Sequence, residues 1–225
     1  MADDFSIIAA SMQKDLHSVN LSSDNVANVN TPGFKRSASF SDYLSSGQPI
    51  TLTDSRNASL KQTHRQLDVG LTGSAYFVLS SSTGNKEITR DGRFNIDSDG
   101  YLSYGGFRVQ GESGDIFVGD RAISISQSGN ILIGEMQDSF KLVSFDDKHN
   151  LTKVSANTFQ YSSSLSDSER GTYTVHQGFL ENSNVDAKDE MINMTTSLRH
   201  FELQQKVLRN YNSMIEVGIS NLGDF

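Results

Sequence analysis

The stretch DAKDEMINMTTSLRHFELQQKVLRNYNSMIEVGISNL, residues 186–222, decides the fold. It contains no proline, and its one glycine, Gly218, comes near the end. Met191, Met194, Leu198, Phe201, Leu208, Ile215, Ile219 and Leu222 stand in alternating steps of three and four, with Gln205 and Asn212 at the two remaining positions of the series. That is the a/d spacing of an amphipathic helix with two polar breaks, and it predicts a rod of about 35 residues and roughly 50 Å. Asp186, Asp189 and Glu190 near its start suit the positive end of the helix dipole. A second set, Ile192, Leu203, Val207, Met214 and Val217, lies mostly off that seam, so the helix carries more apolar surface than one partner helix covers. In an ordinary globule the surplus would face a core. Here the rest of the chain reads as a separate β body, and neighbouring subunits are the natural owners.

Working outward, the N-terminal end repeats the spacing with Phe5, Ile8, Met12, Leu16 and Val19, continuing to Val26 and Val29 across Ser22-Ser-Asp24. Residues 1–30 predict one helix that stops before Asn30-Thr-Pro-Gly33, because proline restricts the residue before it and glycine permits positive φ. Between the helices, Asp91-Gly92, Asp99-Gly100, Gly105-Gly106, Ser113-Gly114 and Ser128-Gly-Asn130 separate short β-favouring runs. The runs are Tyr76–Leu79, Arg93–Ile96, Tyr101–Tyr104, Ile116–Val118, Ala122–Ser126, Ile131–Ile133 and Phe140–Phe145, a pattern of antiparallel hairpins in a sandwich or open barrel. Serine-rich patches at Ser80–Ser82 and Ser162–Ser164 read as loops. The expected fold class is α+β: N- and C-terminal helices pairing as a coiled-coil-like bundle, with a central antiparallel all-β domain. The expected boundaries are a helix and turn over 1–35, a connecting segment and β body over 36–180, and a helix over 181–225.

The chain of 225 residues has 19 basic and 27 acidic side chains, and a net charge of −8 is the wrong sign for tracking phosphates. Nucleic acid is therefore not expected as a partner. No apolar run reaches membrane-crossing length, and Met1-Ala-Asp-Asp-Phe5 lacks the basic and apolar regions of a cleavable signal. The absence of cysteine excludes disulfides and thiolate metal sites. Asn95-Ile-Asp97-Ser-Asp99-Gly100 resembles the start of a calcium loop, but Gly106 stands where that loop needs a glutamate, and a hairpin turn accounts for the same residues. His17, His64, His149, His176 and His200 are scattered without metal-ligand spacing. Gly111-Glu-Ser-Gly114 is one residue short of a nucleophile elbow, and no phosphate or dinucleotide loop occurs. Carboxylate pairs such as Asp146-Asp147 sit in polar, turn-like contexts. The sequence thus assigns no catalytic residue, cofactor, metal or small-molecule substrate.

The segment Asn25-Val-Ala-Asn28-Val-Asn30-Thr31-Pro-Gly33-Phe34-Lys35 resembles the N-terminal signature of bacterial flagellar basal-body rod and hook proteins. Leu67-Asp-Val69, Gly73-Ser-Ala-Tyr76-Phe77 and Thr89-Arg-Asp-Gly92, followed by Phe94 and Asp99-Gly100, look like further family elements in the same order. The C-terminal signature resembles Gly178-Phe-Leu-Glu181-Asn-Ser183-Asn184-Val185-Asp186, then Glu190-Met-Ile192 and Phe201-Glu202. Gly73-Ser-Ala-Tyr76 and Ser197-Leu-Arg-His200 depart from the usual forms.

The resemblance implies a structural subunit of the flagellar basal-body rod, needed for flagellum assembly and motility. Its terminal helices would pack into an inner tube and its β domain would lie outside. It implies export without a cleavable signal through the flagellar type III apparatus, a place in the periplasmic rod, and contacts with copies of itself and with other rod and hook-basal-body subunits. Body size is most like the proximal-rod (FlgF-type) members. A distal-rod or hook-type axial protein is the alternative within the family, and a β-rich adhesin oligomerised by its helices is the alternative outside it. The expected assembly residues are the helix positions Phe5, Ile8, Met12, Leu16, Val19, Met191, Met194, Leu198, Phe201, Leu208, Ile215 and Ile219. Asn25, Asn28, Asn30, Thr31, Gly33, Phe34, Glu181, Ser183, Asn184 and Val185 carry the family motifs.

Overall fold

The computed structural model describes residues 2–40, 50–81, 86–144, 151–161 and 173–223. The Ser162–Ser164 patch, Phe145, Asp146-Asp147 and His149 lie outside them. The chain divides into two compact units, one of Met1–Ala27, Ser37–Leu52 and Asp186–Phe225, the other of Asn28–Arg36 and Thr53–Val185.

The first unit is built on α1 (Ala2–Ala27) and α2 (Ala187–Gly223), with β1 (Ser37–Phe40) paired to β2 (Ile50–Thr53). Asp186 caps α2: its Oδ1 accepts from the backbone N–H of Lys188 (2.9 Å) and Asp189 (3.4 Å), satisfying donors that the helix itself leaves unpaired. Asp189 and Glu190 add negative charge to the first turn. The helices run antiparallel, since partners on α1 descend as those on α2 rise. Ser197 donates to Ser18 (3.2 Å), His200 Nδ1 lies 3.5 Å from Asp15 Oδ2, and Gln204 donates to Ser11 (2.8 Å).

The second unit is an antiparallel β body. Its strands are β3 (Leu60–Gln62), β4 (Val69–Gly73), β5 (Ala75–Ser80), β6 (Lys86–Thr89), β7 (Asn95–Ile96), β8 (Leu102–Tyr104), β9 (Phe107–Gly111) and β10 (Gly114–Asp115). They continue with β11 (Ile123–Ile125), β12 (Asn130–Ile133), β13 (Met136–Ser139), β14 (Leu142–Ser144), β15 (Leu151–Lys153), β16 (Thr158–Tyr161), β17 (Tyr173–Gln177) and β18 (Phe179–Glu181). The main sheet runs β15-β16-β6-β5-β9-β8-β7, with β10 added on β9 and β14 on β5. A second sheet orders β11-β12-β13, and β17 and β18 return along β4 and β3.

β5 is the centre. Ala75 to Leu79 are all buried, an unbroken apolar run that fits a strand covered on both faces. Phe77 and Leu79 enter the larger core with Val69, Leu71, Phe94, Val109, Ile116 and Phe140. Phe77 meets Phe94 and Phe140 edge-on at 5.0 and 5.2 Å between ring centroids, the arrangement aromatic quadrupoles favour. Tyr76 and Val78 point the other way, into a smaller core with Ile88, Val143 and Phe159. β12 instead alternates: Ile131 and Ile133 are buried, Asn130 and Leu132 exposed. The turn that resembled a calcium loop is held by Asp97 Oδ1, which accepts from the N–H of Asp99 and Tyr101, while Arg108 pairs with both Asp97 and Asp99. A guanidinium therefore fills the acidic concavity that a cation would need. Gly92 permits a close crossing, since a Cβ there would sit 1.8 Å from the Val69 carbonyl oxygen.

Candidate assembly faces and motif junction

From residue 194 to 208 the partly buried positions on α2 are Met194, Ser197, Phe201, Gln204 and Leu208. Their steps alternate between three and four, as expected, but the stripe coincides with the apolar series only at Met194, Phe201 and Leu208. At the intervening turns Ser197 and Gln204 face α1, where Ser18 and Ser11 offer hydroxyls, and the apolar Leu198 is left 41% exposed. Met191 and Ile215 are likewise exposed, as are Ile192, Leu203, Val207 and Met214 from the second set. On α1, Ile8, Met12 and Val19 are half-buried, and Phe5 and Leu16 exposed together with Ile7. The side chain of Ile219 lies outside those described. The helix pair thus meets through a mixed seam and leaves large apolar side chains in water, which costs free energy roughly in proportion to their area until something covers them.

The motif residues gather elsewhere, at the two ends of the β body's chain. Asn25 remains in the helical unit, where its amide accepts from the N–H of Ser37 (2.9 Å) and donates to the Ser37 carbonyl (2.8 Å). In the β unit, Thr31 donates to the Asn28 side chain, and Asn30 is exposed. Gly33 has φ +68°, and a Cβ there would lie 2.6 Å from the backbone of Arg90 and Asp91. Glycine is required on both counts. Phe34 is buried beneath the Lys153 ammonium, 4.2 Å from its ring centroid.

Lys35 and Glu181 form the heart of this junction. Lys35 Nζ lies 2.7 Å from Glu181 Oε1, and Arg90 Nε lies 2.8 Å from Oε2, with all three side chains at most 1% exposed. Glu181 Oε1 also accepts from the N–H of Ala58. Lys35 donates to the Arg56 carbonyl, and Arg90 to the carbonyls of Ala75 and Leu71 and the side chain of Asn57. Burial pushes the Lys35 ammonium below its ordinary pKa, against the upward pull of Glu181, and the nearby Arg90 charge adds to the lowering. Asn184 completes the junction: it accepts from the N–H of Arg36 (2.7 Å) and donates to the carbonyls of Asp54 and Arg56. Ser183 accepts from the N–H of Val185, which is buried. Next along the chain, Asp91 is buried and accepts from Arg93, Tyr104 and Asn157, and Asn157 also donates to the Pro32 carbonyl.

Arg90, Asp91 and Asn157 were missed as site residues by sequence reasoning. Only the Thr89-Arg-Asp-Gly92 element pointed near them, and a charged turn reads as solvated. A groove of ≈ 670 Å³ lies beside Arg65, Arg93, Tyr104 and Phe107. Its arginines are committed within the fold, Arg93 to Asp91, and Arg65 to Asn95 and the Phe94 carbonyl. Among the described residues no group of three or more histidine or acidic side chains is placed to hold a metal ion. No helix among them is long and apolar enough to cross a membrane.

Fold and junction together define an α+β protein with a pair of terminal helices and a β body closed by the two ends of its own chain. Residues 176–222 match the family described as flagellar basal body rod FlgEFG protein, C-terminal, and residues 70–133 match the flagellar hook protein FlgE/F/G D1 domain. Over most of its length the chain is similar to flagellar basal-body rod proteins. Among its relatives are the flagellar basal-body rod protein FlgG of Buchnera aphidicola subsp. Acyrthosiphon pisum, 28% identical over 88% of this chain and 91% of that protein, and FlgF of Escherichia coli, 29% identical over 84% and 85%. FlgF of Rhizobium meliloti is 28% identical over 96% of both chains.

Proposed function

We propose that the chain is a structural subunit of the bacterial flagellar basal-body rod that polymerises through its terminal helices into part of the torque-transmitting axial tube. Relatives named as rod proteins support the structural role. The observation that carries the polymerisation is the row of exposed apolar side chains on α1 and α2, Phe5, Ile7 and Leu16 on one and Met191, Leu203, Val207 and Met214 on the other. Coiled-coil-like pairing of α1 with α2 would use the Met194, Phe201 and Leu208 stripe, leaving the remaining faces for neighbouring copies. Repeated heterologous contacts of that kind extend without closing, as a tube requires. Export through the flagellar type III apparatus and a place in the periplasmic rod belong to the same reading. So do contacts with other rod and hook-basal-body subunits. Relatives of both FlgF and FlgG names match, and the proximal-rod role belongs to the same reading.

Deleting the gene in its flagellated host and imaging purified basal bodies tests the proposal. The expected result is a missing or truncated rod, restored by the full chain but not by a chain lacking residues 186–225. Intact rods and normal swimming after deletion would remove the axial role and bring the adhesin alternative forward.

A further inference from the structure

Residues 33–36 and 181–184 lie side by side in the β unit and run in the same direction. Gly33 N–H donates to the Glu181 carbonyl (2.8 Å), and one step on in the first segment Asn184 N–H donates to the Phe34 carbonyl (3.3 Å). The partner number rises on both sides, so the pairing is parallel. Every strand pairing described within the β unit is antiparallel.

Direction matters under load. Tension on the chain ahead of residue 33 pulls its segment toward its N-terminal end, and tension beyond residue 184 pulls the other toward its C-terminal end. In parallel neighbours these pulls oppose each other along one line, so every cross-link is strained together. Antiparallel neighbours loaded from one end instead lose their hydrogen bonds singly, in sequence. Across the sheared line stand the two backbone bonds, the Arg36 N–H to Asn184 bond, and the buried pair of Lys35 with Glu181. Arg90 ties Glu181 to the Ala75 and Leu71 carbonyls of the central strands. Separating a buried carboxylate from both its cations leaves charges without partners or water, a steep local barrier.

We propose that residues 33–36 and 181–184, anchored by Arg90, form a shear-loaded clasp that bears mechanical load entering the β unit from either end of its chain. The purpose of such a clasp rests on the rod reading; its mechanics do not. The protein has no cysteine, so paired cysteines can serve as sole attachment points for constant-force unfolding of the full chain. One pair, Asn30→Cys with Lys188→Cys, loads the clasp. A second pair, Glu112→Cys with Glu135→Cys in exposed turns, loads the β unit away from it.

The clasp predicts that Glu181→Gln and Asn184→Ala each raise the unfolding rate at fixed force by about tenfold or more through the first pair, and less than about twofold through the second. Equal acceleration through both pairs would mean a general stability role and overturn the proposal. So would a wild-type chain that yields more easily through the first pair than through the second. If Glu181→Gln does not fold, Asn184→Ala, which leaves the buried ion pairs in place, decides alone. Either outcome leaves the assembly reading to be judged by basal-body imaging.

Discussion

Phe77 and Phe201 show how differently the two units are built. Phe77 has no exposed surface and touches aromatic neighbours on two sides, whereas Phe201 is only partly buried, with Ser197 and Gln204 at the adjacent seam positions. The β body buries its main apolar clusters within the chain, around both faces of β5, and leaves Phe117, Leu132 and Met136 at its surface. The helices turn serines, an asparagine and a glutamine toward covered positions and leave leucine, methionine and valine in water: Ser22 and Asn25 are buried, Leu203 and Met214 are exposed. A region that places hydrogen bonds inside and leaves many hydrophobes outside has apolar surface for other molecules to cover. Solubility of the lone chain and affinity for neighbours are then set by the same side chains.

The largest expected effect probes the closed unit. Phe77→Ala should destabilise the β body by about 3–5 kcal/mol, because the cavity between Phe94 and Phe140 cannot collapse fully. A urea denaturation curve checks this, and a loss below about 1 kcal/mol would mean the aromatic cluster is not the keystone its packing suggests. The helices should answer in the opposite way. Val207→Asp or Ile215→Asp should abolish rod formation in the host while shifting the unfolding free energy of the lone chain by no more than about 0.5 kcal/mol. Normal motility in these variants, or a large loss of monomer stability, would erase the contrast between the units.

A finer test addresses the junction. Lys35 holds its proton less tightly when folded than when unfolded, so its burial cost is complete at low pH and is relieved as pH rises toward 10.5, its ordinary value. The stability of wild type relative to Lys35→Met should therefore increase over that interval. Parallel denaturation curves at several alkaline pH values read the difference directly, and a flat difference would show that the ammonium is no more strained in the fold than in the unfolded chain.

Much of this division was legible in the sequence. The three-four spacing marked both helices, and α2 runs from Ala187 to Gly223. The unbroken run Tyr76–Leu79 marked the central strand, and paired glycine turns marked the hairpins. The register of the helix seam was not legible. Ranking by hydropathy puts Leu198 inside, whereas the position that faces α1 is Ser197, because Ser18 is there to bond it. The junction was only half visible. Glu181 was expected to matter as part of a motif, but its partner Arg90 is 91 residues away, and nothing local distinguishes a buried arginine in a turn from a solvated one. Spacing reports what a segment does with its own neighbours. A carboxylate shared by two distant cations depends on topology, which composition and period do not encode.

The amide of Asn25 does more than hold the end of its helix. A carboxamide is a peptide group without a chain attached, and this one accepts from the N–H and donates to the C=O of Ser37, as a neighbouring strand would. At that residue the outer edge of β1 is already occupied, so a stray strand from another molecule finds no free pair of groups to zip onto. If the chain packs against copies of itself as proposed, one side chain there acts as a stopper against the wrong kind of joining.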